Sequence, residues 1–195
     1  MLPEDFAASV EKIYRALPGK EQTTATPVLF VISGLPGTGK SFLARKVAER
    51  LPCVIVESDF VRKTLVVGKP TYSGAESAFV HRVAHAVIER LLLAGCRVIY
   101  DATNLIQRHR EKVFYLADKS RASIVAIHVI APESVIRERL TRRFESRDPH
   151  DISDANWDVY QKLMPELEPM RHQHVVVDTS GDMDAAVTKI IRAAR

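Results

Sequence analysis

The chain has 195 residues, of which 46% are apolar and 27% charged. This length suits one compact domain, and the composition excludes an intrinsically disordered chain. The formal net charge at pH 7 is +4, from 28 basic and 24 acidic side chains. So small an excess does not distinguish a nucleic-acid-binding protein from an ordinary solvated surface.

Two further features set the expected environment. The apolar runs reach only about five residues, which is too short to span a bilayer. The first residues lack the basic-then-apolar order of a signal peptide, so we expect no membrane association and a cytoplasmic location. Cys53 and Cys96 lie in apolar contexts, where we expect reduced core thiols rather than a disulfide framework.

The N-terminal segment, residues 1–27, is predicted to be a helix followed by a linker. Apolar residues at helical spacing indicate a helix over residues 3–17. A Pro-Gly pair ends that helix, and the polar, threonine-rich residues 20–27 are typical of a connecting segment.

The main domain, residues 28–195, alternates apolar runs with helical patterns. The predicted strands are Val28–Ser33, Cys53–Glu57, Arg97–Asp101, Ser123–Ala131 and His174–Asp178. The predicted helices cover residues 40–51, 60–66, 75–94, about 107–120, a segment from Glu133, a segment from a Ser153 cap to Pro165, and residues 183–194. Strands that alternate with helices form parallel sheets, so the sequence predicts an α/β fold with a doubly wound, five-stranded parallel sheet.

A glycine-rich loop follows the first predicted strand. Residues 34–41 match the pattern G-x-x-x-x-G-K-[ST], in which the backbone N–H groups surround phosphates at a helix N-terminus. We expect Lys40 to reach the β- and γ-phosphates and Ser41 to bind Mg²⁺. The alternative is an ordinary Gly-Pro turn with a capping serine. The pattern favours a site for ATP and Mg²⁺ built from Gly34, Pro36, Gly37, Thr38, Gly39, Lys40, Ser41 and Phe42.

Charged residues follow the second predicted strand. Asp59 could accept a proton from an attacking hydroxyl, and Arg62, one helical turn further on, could hold an anionic acceptor. The alternative is that Asp59 or Ser58 caps the short helix and that Arg62 is a solvated charge. Because ligands of doubly wound sheets bind at the carboxyl ends of the strands, the position favours the functional interpretation.

The third predicted strand ends in Asp101, followed by Thr103 and Asn104. A carboxylate at this position can hold Mg²⁺, usually through water, and the two polar side chains could orient a substrate or metal-bound water. The alternative is a strand-ending turn in which these residues cap the backbone.

An arginine-rich segment follows the fourth predicted strand. Residues 137–147 contain five arginines and two glutamates, a net charge of +3 that nearly equals the +4 of the whole chain. Arg139 and Arg143 share one helix face and could close over a triphosphate as part of a lid at about residues 137–152. The alternative is a solvated helix with Glu–Arg pairs. Because the basic charge is this local, it favours a phosphate ligand over a nucleic-acid-binding face.

With these motifs in this order, the sequence resembles the P-loop kinases, in particular the kinase domain of phage-type polynucleotide kinase and related small ATP-binding kinases. The resemblance covers residues 28–195 and implies the strand order 2-3-1-4-5. It further implies that Asp59 is the general base and that Arg62 holds an acceptor phosphate. It places Arg139 and Arg143 on the ATP phosphates, and makes Lys40, Asp59 and Arg143 the catalytic set.

The sequence departs from that resemblance at one point. Ala102 separates Asp101 from Thr103, whereas the polynucleotide kinase has its acidic residue directly before the Thr-Asn pair. This departure concerns Asp101, the carboxylate expected to hold Mg²⁺.

The expected function is transfer of the ATP γ-phosphoryl group to a hydroxyl of a small molecule or of a nucleotide or polynucleotide 5′ end. The alternative is an ATP-dependent switch or AAA-type module without an acceptor. Such a module usually has an apolar strand ending in Asp-Asp or Asp-Glu, whereas this strand ends in Asp-Ala. His81 and His85 lie four apart on the long helix, where they could bind a metal or face the acceptor, although no third ligand is evident.

Overall fold

The computed structural model describes residues 5–146 and 153–194. Its strands are β1 (Val28–Ser33), β2 (Val54–Glu57), β3 (Val98–Asp101), β4 (Ser123–Ile130) and β5 (His174–Asp178). Its helices are α1 (Phe6–Ala16), α2 (Lys40–Arg50), α3 (Ser58–Leu65), α4 (Gly74–Leu93), α5 (Gln107–Lys119), α6 (Glu133–Ser146), α7 (Trp157–Leu163) and α8 (Met183–Ala193), with a 3₁₀ turn at Met164–Glu166.

Several helix starts differ from the prediction by two or three residues: α3 begins at Ser58 rather than at residue 60, and the start of α7 also differs. The helix expected from a Ser153 cap begins instead at Trp157, because Asn156 is its N-cap and accepts a hydrogen bond from the Val159 amide at 3.0 Å. Residues 153–156 therefore lead into the helix without belonging to it.

The five strands form one parallel sheet in the order β2-β3-β1-β4-β5, which confirms the predicted fold class. All six residues of the central strand β1 are buried. Alternate β1 residues face opposite layers: Leu29 and Val31 pack toward α3, α4 and α5, whereas Phe30 and Ile32 pack toward α2 and α8. This two-layer burial explains why the strand is apolar throughout.

The N-terminal helix is part of this core. Ile13 of α1 is fully buried in the same cluster as α3 and α4, and Glu11 forms an ion pair with Arg90 of α4 at 2.6 Å. The segment predicted as a separate helix and linker therefore packs on the main domain. Cys96 is buried, Cys53 is half-buried, and both are free thiols as predicted.

Within the described residues, no helix combines the length and the apolar character that crossing a membrane requires. The cytoplasmic location stays a prediction.

Candidate active site

The phosphate-binding pattern lies in the loop between β1 and α2. Gly37 and Gly39 have φ angles of +79° and +88°, in the left-handed region that favours glycine. Gly39 is the N-cap of α2. A Cβ at Gly37 would lie 2.9 Å from Cγ2 of Ile136, so α6 packs directly on this turn. The second and third glycines are therefore required by backbone conformation, and at Gly37 also by space.

The loop is tied together by its own carbonyls. The Leu35 carbonyl accepts hydrogen bonds from Thr38 Oγ1 at 2.8 Å and from Lys40 Nζ at 2.9 Å. Burial lowers the pKa of Lys40, while the carboxylates of Asp101 and Asp59 oppose that shift. The ammonium group thus lies beside both carboxylates predicted for the site.

Two carboxyl groups stand side by side where β2 and β3 end. Glu57 and Asp101 are register partners on the neighbouring strands. Burial and the nearby Asp101 raise the pKa of Glu57 to about 7, and burial also raises the pKa of Asp101, against the effects of Lys40 and Ser41. The sequence analysis did not select Glu57; its position as the polar end of an apolar strand was the available signal.

The residues predicted for Mg²⁺ suit that ion. Asp101 is 4% exposed, and its Oδ2 has no hydrogen-bond partner within the described residues. The Ser41 hydroxyl lies near the carboxyl groups of both Asp101 and Glu57 and lowers the pKa of each, although its single proton can be donated to only one of them at a time. These are the oxygen ligands that Mg²⁺ prefers, and a phosphate-bound Mg²⁺ needs few protein ligands. Among the described residues, no group of three His, Cys, Asp or Glu side chains is arranged to hold a metal by itself.

Asp59 lies in the first turn of α3, half-buried, with Arg62 one turn further along the helix. The Arg62 guanidinium is buried and forms an ion pair with Glu76 of α4. The Tyr72 ring covers it, with 4.6 Å between the ring centroid and Cζ. Arg62 Nε has no partner within the described chain.

Glu76 is a stable anion, and it holds the Arg62 guanidinium in place. It accepts hydrogen bonds from the Thr71 amide at 2.9 Å and the Thr71 hydroxyl at 2.8 Å, in addition to the Arg62 contact. Burial by itself raises the pKa of Glu76, but these bonds outweigh it and bring the pKa to about 2. The positive charge predicted for an anionic acceptor is therefore already neutralised by a residue the sequence analysis did not select.

Thr103 and Asn104 connect the end of β3 to the phosphate loop. The Thr103 carbonyl accepts the Gly34 amide at 3.0 Å. The Asn104 amide donates to the Ile32 carbonyl at 2.7 Å, and the residue is 5% exposed at a φ of +46°. The Asn104 side chain is directed into the fold, where it satisfies a backbone carbonyl of β1, and its contact with a substrate stays a prediction.

A second structural residue below this turn was missed. Arg110 is fully buried and donates to the carbonyls of Asn104 at 2.8 Å, Leu105 at 2.6 Å and Pro169 at 2.9 Å. Five donors in a fixed plane suit a backbone clamp of this kind. Nothing in the local sequence separates Arg110 from the exposed basic residues of the same helix.

The arginine-rich helix α6 packs on the phosphate loop, and its role as a lid stays a prediction. Arg139 Nη1 donates to Thr179 Oγ1 at 2.7 Å and to the Gly37 carbonyl at 3.5 Å. Arg143 is half-buried and close enough to Lys40 for its charge to lower the Lys40 pKa. Residues 147–152, the remainder of the predicted lid, lie outside the described residues.

Of three aromatic residues near the site, one is exposed and two stack on each other. Phe42 was predicted to bind nucleotide; its side chain is 49% exposed at the start of α2. Trp157 and Tyr160 stack on each other with ring centroids 4.8 Å apart, and Arg137 lies over the Trp157 ring. Both residues belong to the apolar cluster of Leu35, Ile136 and Leu140, so the pair serves packing.

The histidines of α4 form a cluster with β3. His81 Nδ1 lies 2.7 Å from the Tyr100 hydroxyl, and the His85 and His109 rings are 6.2 and 6.4 Å from the His81 ring. Burial lowers the pKa of His81 and of His85 to about 4. Both imidazoles are therefore neutral at pH 7, and neither belongs to a three-residue metal group among the described residues.

A family model described as an AAA domain matches residues 29–167, so the chain belongs to that family. The chain is also 31% identical to a UPF0200 protein of Saccharolobus islandicus over 135 residues, 65% of this chain and 70% of the relative. It is 30% identical to an uncharacterized protein of Mycobacterium tuberculosis over 174 residues, 84% of this chain. The chain spans about a third of the length of that relative, 34%.

Solved structures with this fold are P-loop kinases and related nucleotide-binding proteins. Kti12 of Chaetomium thermophilum, in complex with ADP-AlF₃, has a TM-score of 0.68 at 20% identity and covers 86% of this chain and 99% of its own. The APS kinase CysC of Mycobacterium tuberculosis, with AMPPNP and APS, has a TM-score of 0.65 at 16% identity, covering 87% and 98%. These likenesses show a kinase-type P-loop fold, and the phage polynucleotide kinase branch stays a prediction.

Proposed function

We propose that the protein is a kinase that transfers the γ-phosphoryl group of ATP to a hydroxyl of an acceptor. The observation that carries the proposal is the grouping of Lys40, Arg143 and the carboxylates of Asp59 and Asp101 around one glycine-rich loop. Phosphoryl transfer needs cationic groups in contact with the negatively charged phosphoryl group, and a carboxylate near the attacking hydroxyl. A simple binding loop needs only the first.

The nucleotide half of the proposal follows from the loop. Its amides and the N-terminus of α2 would bind the β-phosphate. Lys40, now bonded to the Leu35 carbonyl, would exchange that partner for phosphate oxygens. Ser41 and Asp101 would hold Mg²⁺, which neutralises charge on the β- and γ-phosphates. Arg139 and Arg143 would stabilise the charge that develops during transfer.

The acceptor half rests on the residues at the carboxyl ends of β2 and β3. We assign Asp59 as the base that takes the hydroxyl proton, since its charge acts on Lys40 and so lies near the γ-phosphate position. Glu57 is a second candidate, because a pKa of about 7 suits a group that gains and loses a proton at neutral pH.

The ion pair of Arg62 with Glu76 limits the chemical class of the acceptor. Glu76 already neutralises the buried Arg62 guanidinium, so an acceptor phosphate would have to compete with Glu76 for that charge. A neutral hydroxyl compound does not require the charge of Arg62. Thr103, whose side chain is half-buried beside the loop, stays a candidate contact. We therefore favour an uncharged hydroxyl acceptor over a polynucleotide end.

The competing proposal, an ATP-dependent switch, predicts ATP binding with no dependence on an acceptor. Purified protein with ATP and Mg²⁺ is assayed for ADP release against sugars and polyols, nucleosides, hydroxylated antibiotics and a 5′-hydroxyl oligonucleotide. One class should raise ADP release above the rate with water alone. Asp59→Asn should abolish that increase, and Asp118→Asn, an exposed aspartate of α5, should not. Equal rates with every acceptor and an unaffected Asp59→Asn would contradict the kinase proposal.

A further inference from the structure

Thr179 joins the phosphate loop to the lid helix. It directly follows β5, is 7% exposed, and is anchored by a hydrogen bond from its amide to the Ile130 carbonyl at 3.0 Å. Its hydroxyl lies 2.7 Å from the Thr38 carbonyl and 2.7 Å from Arg139 Nη1. Thr179 thus connects a loop residue 141 positions away and a lid residue 40 positions away.

The direction of both hydrogen bonds is fixed by chemistry. A carbonyl can only accept, and a guanidinium can only donate. The Thr179 hydroxyl therefore donates its single proton to the Thr38 carbonyl and accepts from Arg139. A second guanidinium nitrogen, Arg139 Nη2, donates to the Thr179 carbonyl at 3.0 Å. Threonine or serine can fill this role, and valine, which has the same shape, cannot.

The Thr38 carbonyl sets the direction of the next amide. The Thr38–Gly39 peptide is trans, and in a trans peptide the C=O and N–H groups point in opposite directions. Because the carbonyl points at Thr179, the Gly39 N–H points away from Thr179. Gly39 is the residue at which the loop enters α2, where amides bind anions.

The close approach of Thr179 also restricts Gly39. A Cβ at position 39 would lie 3.2 Å from Thr179 Oγ1 and 3.3 Å from Arg139 Nη1. The turn after β5 is itself fixed, since Asp178 accepts the Ser180 amide at 2.9 Å and the Ser180 hydroxyl at 2.7 Å. Thr179 is therefore held in place before any ligand binds.

We propose that Thr179 is a positioning residue, which aims the Gly39 amide at the β-phosphate of a bound nucleotide and fixes Arg139 of the lid against the loop. The proposal rests on the proposed function only in requiring that the loop binds a nucleoside diphosphate or triphosphate. The segment after β5 would thus contribute indirectly to phosphate binding, because the Thr179 hydroxyl bonds to the Thr38 carbonyl and to Arg139.

The test measures ADP affinity by calorimetric titration, which requires no knowledge of the acceptor. Thr179→Val keeps the shape and removes the hydroxyl, so ADP affinity should fall about tenfold because a buried carbonyl and Arg139 lose their partner. Thr179→Ser should bind ADP within about threefold of the parent protein, since the hydroxyl remains.

The chain offers a matched control. Thr188 of α8 also accepts from an arginine, Arg50 Nη1 at 3.0 Å, and donates to a carbonyl, that of Asp184 at 2.8 Å. This pair lies at the far end of α2, about 15 Å along the helix from the loop. Thr188→Val should lower the melting temperature as an ordinary lost contact does and leave ADP affinity within about twofold.

Each outcome decides the proposal. Unchanged ADP affinity in Thr179→Val would overturn it, as would an equal loss in Thr188→Val. If Thr179→Val does not fold, Thr179→Ala takes its place; should neither fold while Thr179→Ser binds normally, the role is structural and the proposal is wrong. Parent protein that fails to bind ADP would refute both this inference and the kinase proposal. Normal ADP binding without any phosphorylated acceptor would refute the kinase proposal alone.

Discussion

The two halves of the candidate active site differ in how their polar groups are used. On the nucleotide side, the side-chain bonds of Thr38, Arg139 and Thr179 end on backbone carbonyls of the loop, so these side chains occupy none of its amides. On the acceptor side, Arg62 is paired with Glu76 and Asn104 with a β1 carbonyl. The nucleotide side is thus arranged for a ligand, while several acceptor-side groups stabilise the fold.

The comparison teaches where a local motif is informative. A phosphate loop of the pattern in residues 34–41 binds through backbone amides, whose directions depend on a short sequence with glycines at set positions. Acceptor recognition depends on side chains, and each side chain can be recruited by a distant partner. A local sequence pattern therefore predicts ligand binding better on the nucleotide side of the site than on the acceptor side.

The largest expected effect is on the nucleotide side. Lys40→Ala should reduce ATP turnover by about a hundredfold or more, because it removes the charge that reaches the β- and γ-phosphates. Turnover is followed as ADP release. Lys46→Ala, six residues further along α2 in an exposed pair with Glu49, should turn over ATP at the parent rate. Equal rates for the two variants would remove the loop from the reaction.

On the acceptor side, the largest effect should be on stability. Arg62→Ala leaves Glu76 buried without its partner and should lower the free energy of unfolding by about 3 kcal/mol. Lys63→Ala, whose partner Asp154 is exposed, should change it by about 0.5 kcal/mol or less. Urea denaturation compares them. If Arg62→Ala is as stable as the parent protein and its KM for the acceptor is raised, Arg62 instead contacts the substrate.

Asn104 provides a smaller test of the same contrast. Asn104→Ala should cost about 2 kcal/mol, since it loses the bond to Ile32 and places alanine at a positive φ. Asn104→Gly loses the same bond without the backbone strain, so it should be the more stable variant. Thermal unfolding measures both. If both variants keep full stability and lose acceptor-dependent turnover, Asn104 contacts the substrate after all.

The histidine cluster should make stability depend on pH. Burial lowers the pKa of His81 and His85 to about 4, from 6.5 in the unfolded chain. Between those pH values the unfolded chain binds more protons, so stability is complete above pH 6.5 and is lost as the pH falls toward 4. We expect a loss of about 1 to 2 kcal/mol, since the imidazoles are only half-buried.

Denaturant unfolding at several pH values measures this loss. The double variant His81→Gln/His85→Gln should flatten the dependence between pH 6.5 and 4, whereas His172→Gln, at an exposed position, should leave it unchanged. An unchanged slope in the double variant would show that other groups control acid stability.

The sequence predicted the strands and the loop because both depend on short-range patterns. The strands β1 and β5 begin and end at the predicted residues, because each contains a continuous apolar run; β1 is in addition buried on both faces, whereas β5 is an edge strand with exposed residues. Glu76 and Thr179 could not be found in this way. Glu76 meets Arg62 only after α3 and α4 pack together, and Thr179 reaches Thr38 across 141 positions of the chain. No local sequence pattern distinguishes either residue from an ordinary polar residue at the surface.

The central claim is that the γ-phosphoryl group passes to an acceptor. Phosphorus-31 NMR of the protein with ATP, Mg²⁺ and each acceptor class follows that group directly. The account predicts a phosphomonoester signal with one hydroxyl acceptor, growing at the rate of ADP formation and absent with Asp59→Asn. Inorganic phosphate as the sole product with every acceptor, formed equally by Asp59→Asn, would contradict it.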